Sequence, residues 1–341
     1  KVIHKHENIM SQNPKVVIFN DTSTRYHHGC ARVMRLLCAG LERHGLEIIA
    51  SSPARHEWEK DAAFLAELAR ADIIVINGEG TLHHGKPAGE ALLRVTQHPA
   101  RGTTPFALIN ALYQDNPDSW NEMLQACALL SARDSESAAA MQAASGQDVR
   151  WLPDLSLSAP AEGREQARKG VIVGDSVKLS ARKVLAMTAA RFTDARFVPT
   201  KTLQSKIWNS AIMRGLLYRI YNGVFPLHTP PFLMPATEEA YLKEIAATHL
   251  HITGRFHAVC LSMLVETPFL ALSSNASKIE RLLTDAGLGK SRMADPARLK
   301  QASPEAPFSG DELTAIRAFR QMASERAEIL FADIAALGGQ S

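Results

Sequence analysis

Arg255 and His257 place a fixed cation and a titratable imidazole between two contrasting stretches. Before them, Thr248 to Thr253 reads as a short buried strand; after them, Ala258 to Leu264 is a nearly unbroken apolar run. A guanidinium binds carboxylate or phosphate through two parallel N–H bonds. An imidazole moves protons near neutral pH. A helix start adds positive potential at the same point. The combination suits an anionic ligand, although an isolated Arg and His in a loop suit a solvated role equally well.

Two other loops carry dense polar chemistry. One runs from Asn20 and Asp21 through Thr22, Ser23, Thr24, Arg25 and Tyr26 to His27, His28, Gly29 and Cys30. The other runs from Asn77 through Gly78, Glu79, Gly80, Thr81 and Leu82 to His83, His84 and Gly85. Gly78 and Gly80, at a turn before a helix, offer backbone N–H groups to an anion. The dinucleotide fingerprint is not completed, because His83 stands at its third glycine position. Gly289-Lys290-Ser291 resembles the end of a phosphate-binding loop, but Thr284 replaces its first glycine. The His27-His28 and His83-His84 pairs raise zinc as a ligand. Adjacent histidines point apart, however, and no carboxylate cluster accompanies them, so hydrogen bonding to sugar or phosphate is the better reading. The expectation is no metal and no cofactor.

These loops need a scaffold. Strand-like runs at Lys15–Asn20, Leu46–Ala50, Asp72–Asn77, Pro105–Asn110 and Leu129–Arg133 alternate with helical spacing at Gly29–Arg43, a helix ending over Phe64–Arg70, and Ser135–Ala144. A polar stretch with Pro and Gly, Leu157–Arg168, suits a linker. The alternation then restarts with strands at Gly170–Gly174, Ala195–Val198, His249–Thr253 and Pro268–Leu272, and a helix at Arg182–Phe192. Strands alternating with helices imply parallel βαβ units. The fold expected is α/β, two Rossmann-like domains facing across a cleft. Their bounds are 15–160 and 170–310, followed by one or two closing helices over 311–341 that begin at Ser309-Gly310-Asp311. The start, KVIHKHENIM, lacks the apolar core of a signal peptide and reads as an extension over residues 1–14, with Met10 a native start. No internal repeat or low-complexity tract is present.

The length of 341 residues suits two domains, and 46% hydrophobic residues suffice for their cores. A formal charge of only +3 argues against a nucleic-acid binder. Cys30, Cys38, Cys127 and Cys260 form no C-x-x-C pair, which fits a reducing cytoplasm rather than a disulfide scaffold. No apolar run is long enough to span a bilayer.

Several segments together give the chain a resemblance. The N-D-T-S…H-H-G-C loop, D-I-I-V-I-N-G-E-G-T-L-H-H, Arg133-Asp134-Ser135-Glu136-Ser137, Pro153-Asp154, T-G-R-F-H-A and Pro268 to Lys278 follow one another over roughly residues 15 to 285. In that order they resemble the polysaccharide pyruvyl transferase family. The resemblance implies a fold like that of GT-B or sialyltransferase-type enzymes. It also implies transfer of a pyruvyl group from phosphoenolpyruvate to sugar hydroxyls of a bacterial surface glycan or its lipid-linked precursor, as a ketal. The family's R-x-H motif falls on Arg255 and His257, and its R-D-x-x-S motif on Arg133, Asp134 and Ser137.

The site expected is therefore His257 as proton donor or base, with Glu79 or Asp21 as partner. Arg255, Arg133, Gly78, Gly80, Thr81, Ser274, Asn275 and Lys278 are expected around the donor. Asn20, His27, His28, His83 and His84 are expected around the acceptor. Two rivals remain: a glycosyltransferase using a nucleotide-activated, perhaps CMP-linked acidic, sugar, and a non-catalytic glycan-binding protein. Residues 200–240 match no segment of the family. From Ala195 to Thr237 there is no Asp or Glu, while Arg196, Lys201, Lys206, Arg214 and Arg219 alternate with Trp208, Ile212, Leu216, Leu217, Tyr218, Ile220 and Tyr221. A basic amphipathic segment over 201–224 suits peripheral contact with the inner face of the cytoplasmic membrane, or a helix packed on the core.

Overall fold

The computed structural model describes residues 13–161, 167–202, 210–224, 229–274, 276–304 and 306–339. Among the described residues, ten strands form two parallel sheets. The first, in order β2-β1-β3-β4-β5-β6, is built from Glu47–Pro53, Lys15–Asp21, Ile73–Asn77, Phe106–Ala111, Leu129–Ala132 and Val149–Trp151. The second, in order β10-β9-β7-β8, is built from Phe269–Ala271, Leu250–Gly254, Val171–Ser176 and Ala195–Phe197. The helices are α1 His28–Arg43, α2 Ala62–Leu68, α3 Pro87–Leu93, α4 Asn121–Gln125, α5 Ser135–Ser145, α6 Leu179–Ala189, α7 Ala211–Asn222, α8 Glu238–Ala246, α9 Phe256–Leu264, α10 Lys278–Asp285, α11 Pro296–Lys300 and α12 Gly310–Gly338.

The apolar runs become strands because both faces of each parallel sheet are covered. Val17 and Phe19 on β1 face one core with Trp58 and Phe64. Val16 and Ile18 face the opposite core, where α1 supplies Val33, Leu37 and Leu41. That period of two is the strand's own geometry. α9 is apolar on every side and all nine of its residues are buried, as a helix at the centre of a core must be.

The sequence expectation of closing helices resolves into one helix of 29 residues, α12, with a capping box between Ser309 and Glu312. Its first half gives Ile316, Phe319 and Ala323 to the core of the second sheet. Its second half gives Ala327, Leu330, Phe331 and Ile334 to the core of the first. Gly40 permits the approach: a Cβ there would lie 2.3 Å from the Phe331 ring. Other helices (α3, α4, α8, α10 and α11) and strand β6 carry no periodic signal long enough to read from sequence, and α7 falls in the amphipathic segment expected over 201–224. The helix expected from Ala258 begins two residues earlier, at Phe256, which puts His257 in its first turn.

Polar contacts join the halves. Arg32 on α1 is 1% exposed. It bonds Glu238 at the start of α8 (2.7 Å) and the carbonyls of Ser156 and Ala159 in the chain between the sheets (2.7 and 2.5 Å). Asp285 at the end of α10 accepts from the backbone N–H and hydroxyl of Ser135 (2.9 and 2.5 Å). The His28 N–H donates to Thr200 O (3.1 Å) and the Thr202 N–H to Tyr26 O (2.7 Å). The expected extension falls almost wholly on residues 1–12, outside the described residues.

Candidate active site between the two sheets

The C-terminal ends of both sheets face a shared cavity of about 610 Å³. Ligands gather at this end of open α/β sheets. Two helix N-termini also converge here, and the fit is tight: a Cβ on Gly29, in the first turn of α1, would lie 2.1 Å from Cβ of His257, in the first turn of α9.

At the floor, Glu79 sits just after β3 and is 3% exposed. Thr22 Oγ1 donates to its Oε2 (2.7 Å) and Cys30 Sγ to its Oε1 (2.9 Å). His257 Nε2 lies 3.6 Å from Glu79 Oε1 and 3.6 Å from Asp154 Oδ1, with no hydrogen-bond partner among the described residues. Burial works to raise the pKa of both carboxyls. The His257 imidazole overrides it for each, aided by Arg133 and a Ser156 bond at Asp154 and by the Cys30 and Thr22 bonds at Glu79. Both are held below the usual carboxylate range. Arg133 is 3% exposed, stands 3.3 Å from Asp154 Oδ2, and lies over the Phe256 ring at 4.1 Å.

The cavity is strongly cationic. Arg25, Arg55, Lys86, Arg133, Lys201, Arg255 and Lys278 line it, against Glu79 as the one carboxylate among the described lining residues. Burial, then the Arg133 and Arg255 charges, bring Lys278 down to about 8. His83 is brought to about 4 by burial and Lys86, and Lys86 Nζ donates to its Nε2 (2.7 Å). Burial, then His257 and Arg255, hold His27 well below its ordinary value. Both histidines therefore act as neutral groups.

The expected residues divide. His257, Glu79, Arg255, Arg133, Gly80, Ser274, Lys278, His27 and His83 line the cavity. Asp21 instead caps the turn after β1, accepting from Ser23 N and Oγ (2.9 and 2.6 Å), and is not a lining residue. The Gly78 N–H is taken by Ile109 O (2.7 Å), so it offers no donor to a ligand. Its lack of a side chain serves packing instead, since a Cβ would lie 2.7 Å from Ala111. His28 stacks on Tyr241, ring centres 4.6 Å apart. His84 turns outward, with Nδ1 3.2 Å from Asp115. His27 and His28 thus face different ways, whereas the rings of His83 and His84 stay in edge contact, centres 5.0 Å apart, with only His83 on the cavity. Asn20 and Thr81 line a neighbouring cavity. Asn275 lies outside the described residues.

Arg255 does not present a free fork. Its Nε donates to Asp175 Oδ2 (2.7 Å), and its Nη2 bonds the same oxygen and Tyr221 Oη (3.0 Å). Burial acts against its charge, but Asp175 and Tyr221 more than compensate and hold its pKa above the usual value. Asp175, 1% exposed at the end of β7, was missed in the sequence. The available signal was its place directly after a strand, in GVIVGDS. Asp154 was recognised only as part of a motif.

Among the described residues, His27, Cys30 and His257 form a group whose ligand atoms lie within 4.8 Å of one another. Cys30 is committed to Glu79. Burial, then the Glu79 charge, push its thiol well above the ordinary value, so it sits there as a neutral donor.

A family model described as polysaccharide pyruvyl transferase matches residues 28–275. The chain belongs to the polysaccharide pyruvyl transferase family. This family member is a transferase by that membership, and its expected fold class stands. No curated protein matches it. Among solved structures it is similar to a putative UDP-N-acetylglucosamine 2-epimerase from Listeria monocytogenes, at 11% identity and TM-score 0.57, covering 96% of this chain and 98% of that one. It is also similar to an alpha-glucosyltransferase in complex with UDP and a 13-mer DNA, at 10% identity and TM-score 0.50, covering 95% and 100%. An O-GlcNAc transferase mutant from Thermobaculum terrenum, at 14% identity and TM-score 0.47, is covered over 66% of its length by 96% of this chain. The first two of these likenesses bear on the fold: two Rossmann-like domains of the glycosyltransferase and epimerase type.

Proposed function

We propose that this family member moves the enolpyruvyl carbon skeleton of phosphoenolpyruvate onto two hydroxyls of a glycan, forming a cyclic ketal and releasing phosphate. The supporting observation is the charge of the cavity: seven basic side chains around one carboxylate, with His257 at the floor. A small ligand carrying both a carboxylate and a phosphate matches that field.

Protonation of the vinyl carbon by His257 makes C2 oxocarbenium-like. One sugar hydroxyl attacks C2, the C2–O bond to phosphate breaks, and the second hydroxyl closes the ring. Of the two hydroxyl protons, one replaces the proton given to the methyl group and the other leaves with phosphate. Glu79 and Asp154 flank His257 Nε2 at 3.6 Å each and fix the orientation of its ring. Arg133, Lys278 and Lys86 supply the charge for the anion. Arg255, paired with Asp175, adds field and shape.

Phosphate release from phosphoenolpyruvate in the presence of glycan acceptors tests this directly. Nucleotide release from CMP- or UDP-sugars with no reaction of phosphoenolpyruvate would instead establish the glycosyltransferase reading. Glycan affinity without turnover of either donor would make the protein a binding module.

A lipid-linked acceptor has its own support. On α7, Ile212, Leu216 and Ile220 are 83%, 49% and 67% exposed, beside Leu179 at 47%. Tyr218 on the opposite side is buried. The helix is packed on one face and apolar outward on the other. Part of the 201–224 segment, 203–209, lies outside the described residues. Among the described residues no helix is long and apolar enough to cross a membrane, so contact would be peripheral, on an anionic bilayer. Sedimentation with phosphatidylglycerol vesicles but not phosphatidylcholine vesicles is expected; no sedimentation with either removes this contact.

A further inference from the structure

A second cavity, of about 510 Å³, opens beside the cationic one. It lies over the C-terminal ends of the first three strands: Asn20 on β1, Ser52 and Pro53 on β2, and Thr81 beyond β3. The order β2-β1-β3 reverses the chain's direction of travel between β1 and β3. Open α/β sheets bind ligands at that switch point. The two cavities share Arg55 at their rims.

Their chemistry differs. In the second cavity Arg94 pairs with Glu59 (2.8 Å) and Lys60 with Glu57 (2.9 Å), so most charges are neutralised in place. Pro87, Ala88, Ala91 and Leu92 make an apolar wall. The Asn20 Nδ2 donates to the carbonyls of Asn77 (2.6 Å) and Glu79 (3.3 Å). Those bonds fix which way the amide faces and leave its Oδ1 buried with no partner among the described residues. The Thr81 hydroxyl is also buried and has no partner among the described residues. Two neutral hydrogen-bonding groups beside an apolar wall match a ring with one hydrocarbon face and several hydroxyls. They do not match a phosphate.

We infer that this cavity is the acceptor subsite and takes a neutral pyranose ring, whose hydroxyls reach past Arg55 into the cationic cavity. Asn20 bonds the backbone of Glu79, so the floor of this subsite is tied to the carboxylate beside His257. The inference rests on the pyruvyl-transfer reading for its place in the reaction, but not for the binding itself.

Saturation-transfer NMR with methyl pyranosides (gluco, galacto, manno and their N-acetyl forms) at millimolar concentration tests it without turnover. Thermal melting with phosphoenolpyruvate runs in parallel. Ala88→Trp fills the second cavity; Lys278→Met alters the first. Pyranoside signals are expected in the wild type and in Lys278→Met, and lost in Ala88→Trp. Stabilisation by phosphoenolpyruvate is expected in Ala88→Trp and diminished in Lys278→Met. Should Ala88→Trp fail to fold, Thr81→Val serves, with binding about tenfold weaker from one lost hydroxyl contact. Absence of any pyranoside signal in the wild type overturns the inference. So do signals that persist in folded Ala88→Trp or that phosphoenolpyruvate displaces. If pyranosides behave as expected while phosphoenolpyruvate fails to bind the wild type, the donor reading falls and the subsite stands.

Discussion

The two cavities share a rim residue and differ in how their charges are committed. Around the first, Lys278 and Lys86 have pKa values lowered by burial among other cations, while Arg133 pairs with buried Asp154 and Arg255 with buried Asp175 and Tyr221 at the edge. Around the second, Arg94 and Lys60 pair with exposed neighbours on the same surface. Like charges crowded together raise the energy of the empty site, and an anion relieves it. Opposite charges already paired leave nothing for an anion to relieve. The same residue types thus give a cationic surface in one place and a neutral one in the other.

The contrast breaks most sharply at His257. His257→Ala is expected to lower turnover by about 10²–10⁴-fold in a folded protein, the range for losing a positioned acid or base. Near-normal phosphate release from that variant would remove His257 from the mechanism. Arg255→Ala has a different expected consequence, because it strands Asp175. Breaking one partner of a buried pair costs about 3–5 kcal/mol, so denaturant unfolding should register it along with activity. If Arg255→Ala retains both stability and turnover, the Asp175 pair is idle.

A smaller effect is expected at Gly29. Gly29→Ala forces a Cβ against His257, and overpacking of that kind costs about 1–3 kcal/mol. Unfolding and turnover should fall together; a neutral substitution would mean the two helix starts separate freely. Lys278 gives a pH test. Its ammonium is lost as pH rises through about 8, so the KM for phosphoenolpyruvate should climb above that pH. Lys278→Arg should flatten the rise, because a guanidinium keeps its charge there. A wild-type KM constant from pH 7 to 9 would exclude Lys278 from anion binding. The smallest effect is expected at the second cavity's rim, where Glu59→Gln should change stability by less than about 1 kcal/mol and leave the KM for phosphoenolpyruvate unchanged. A large change in that KM would mean the two rims are not electrically independent.

Much of the scaffold was legible because its signals are local. VVIF, IIVIN and VIVG are short apolar runs at parallel-strand spacing, and Gly29–Arg43 repeats its apolar residues at helical spacing. Short elements such as α3, α10 and β6 were not legible, since a few residues cannot establish a period. In the site, His257 and Glu79 were found from loops that follow strands, and Arg133 and Lys278 from segments that carry the family resemblance. Asp21 and His84 came from the same rule and lie elsewhere, because the rule identifies a loop but not the direction of a side chain within it.

The order of residues alone determined the alternation of strand and helix, the two-sheet plan and the loops where polar groups collect. All follow from hydrophobic periodicity and turn chemistry, which act over a few residues. Only the tertiary structure decided that Arg255 is held by Asp175, 80 positions away, and that His257 faces Glu79 and Asp154 together. Those contacts depend on how two sheets are set against each other by α12 and the Arg32–Glu238 pair, and packing over such separations leaves no repeating mark in the chain.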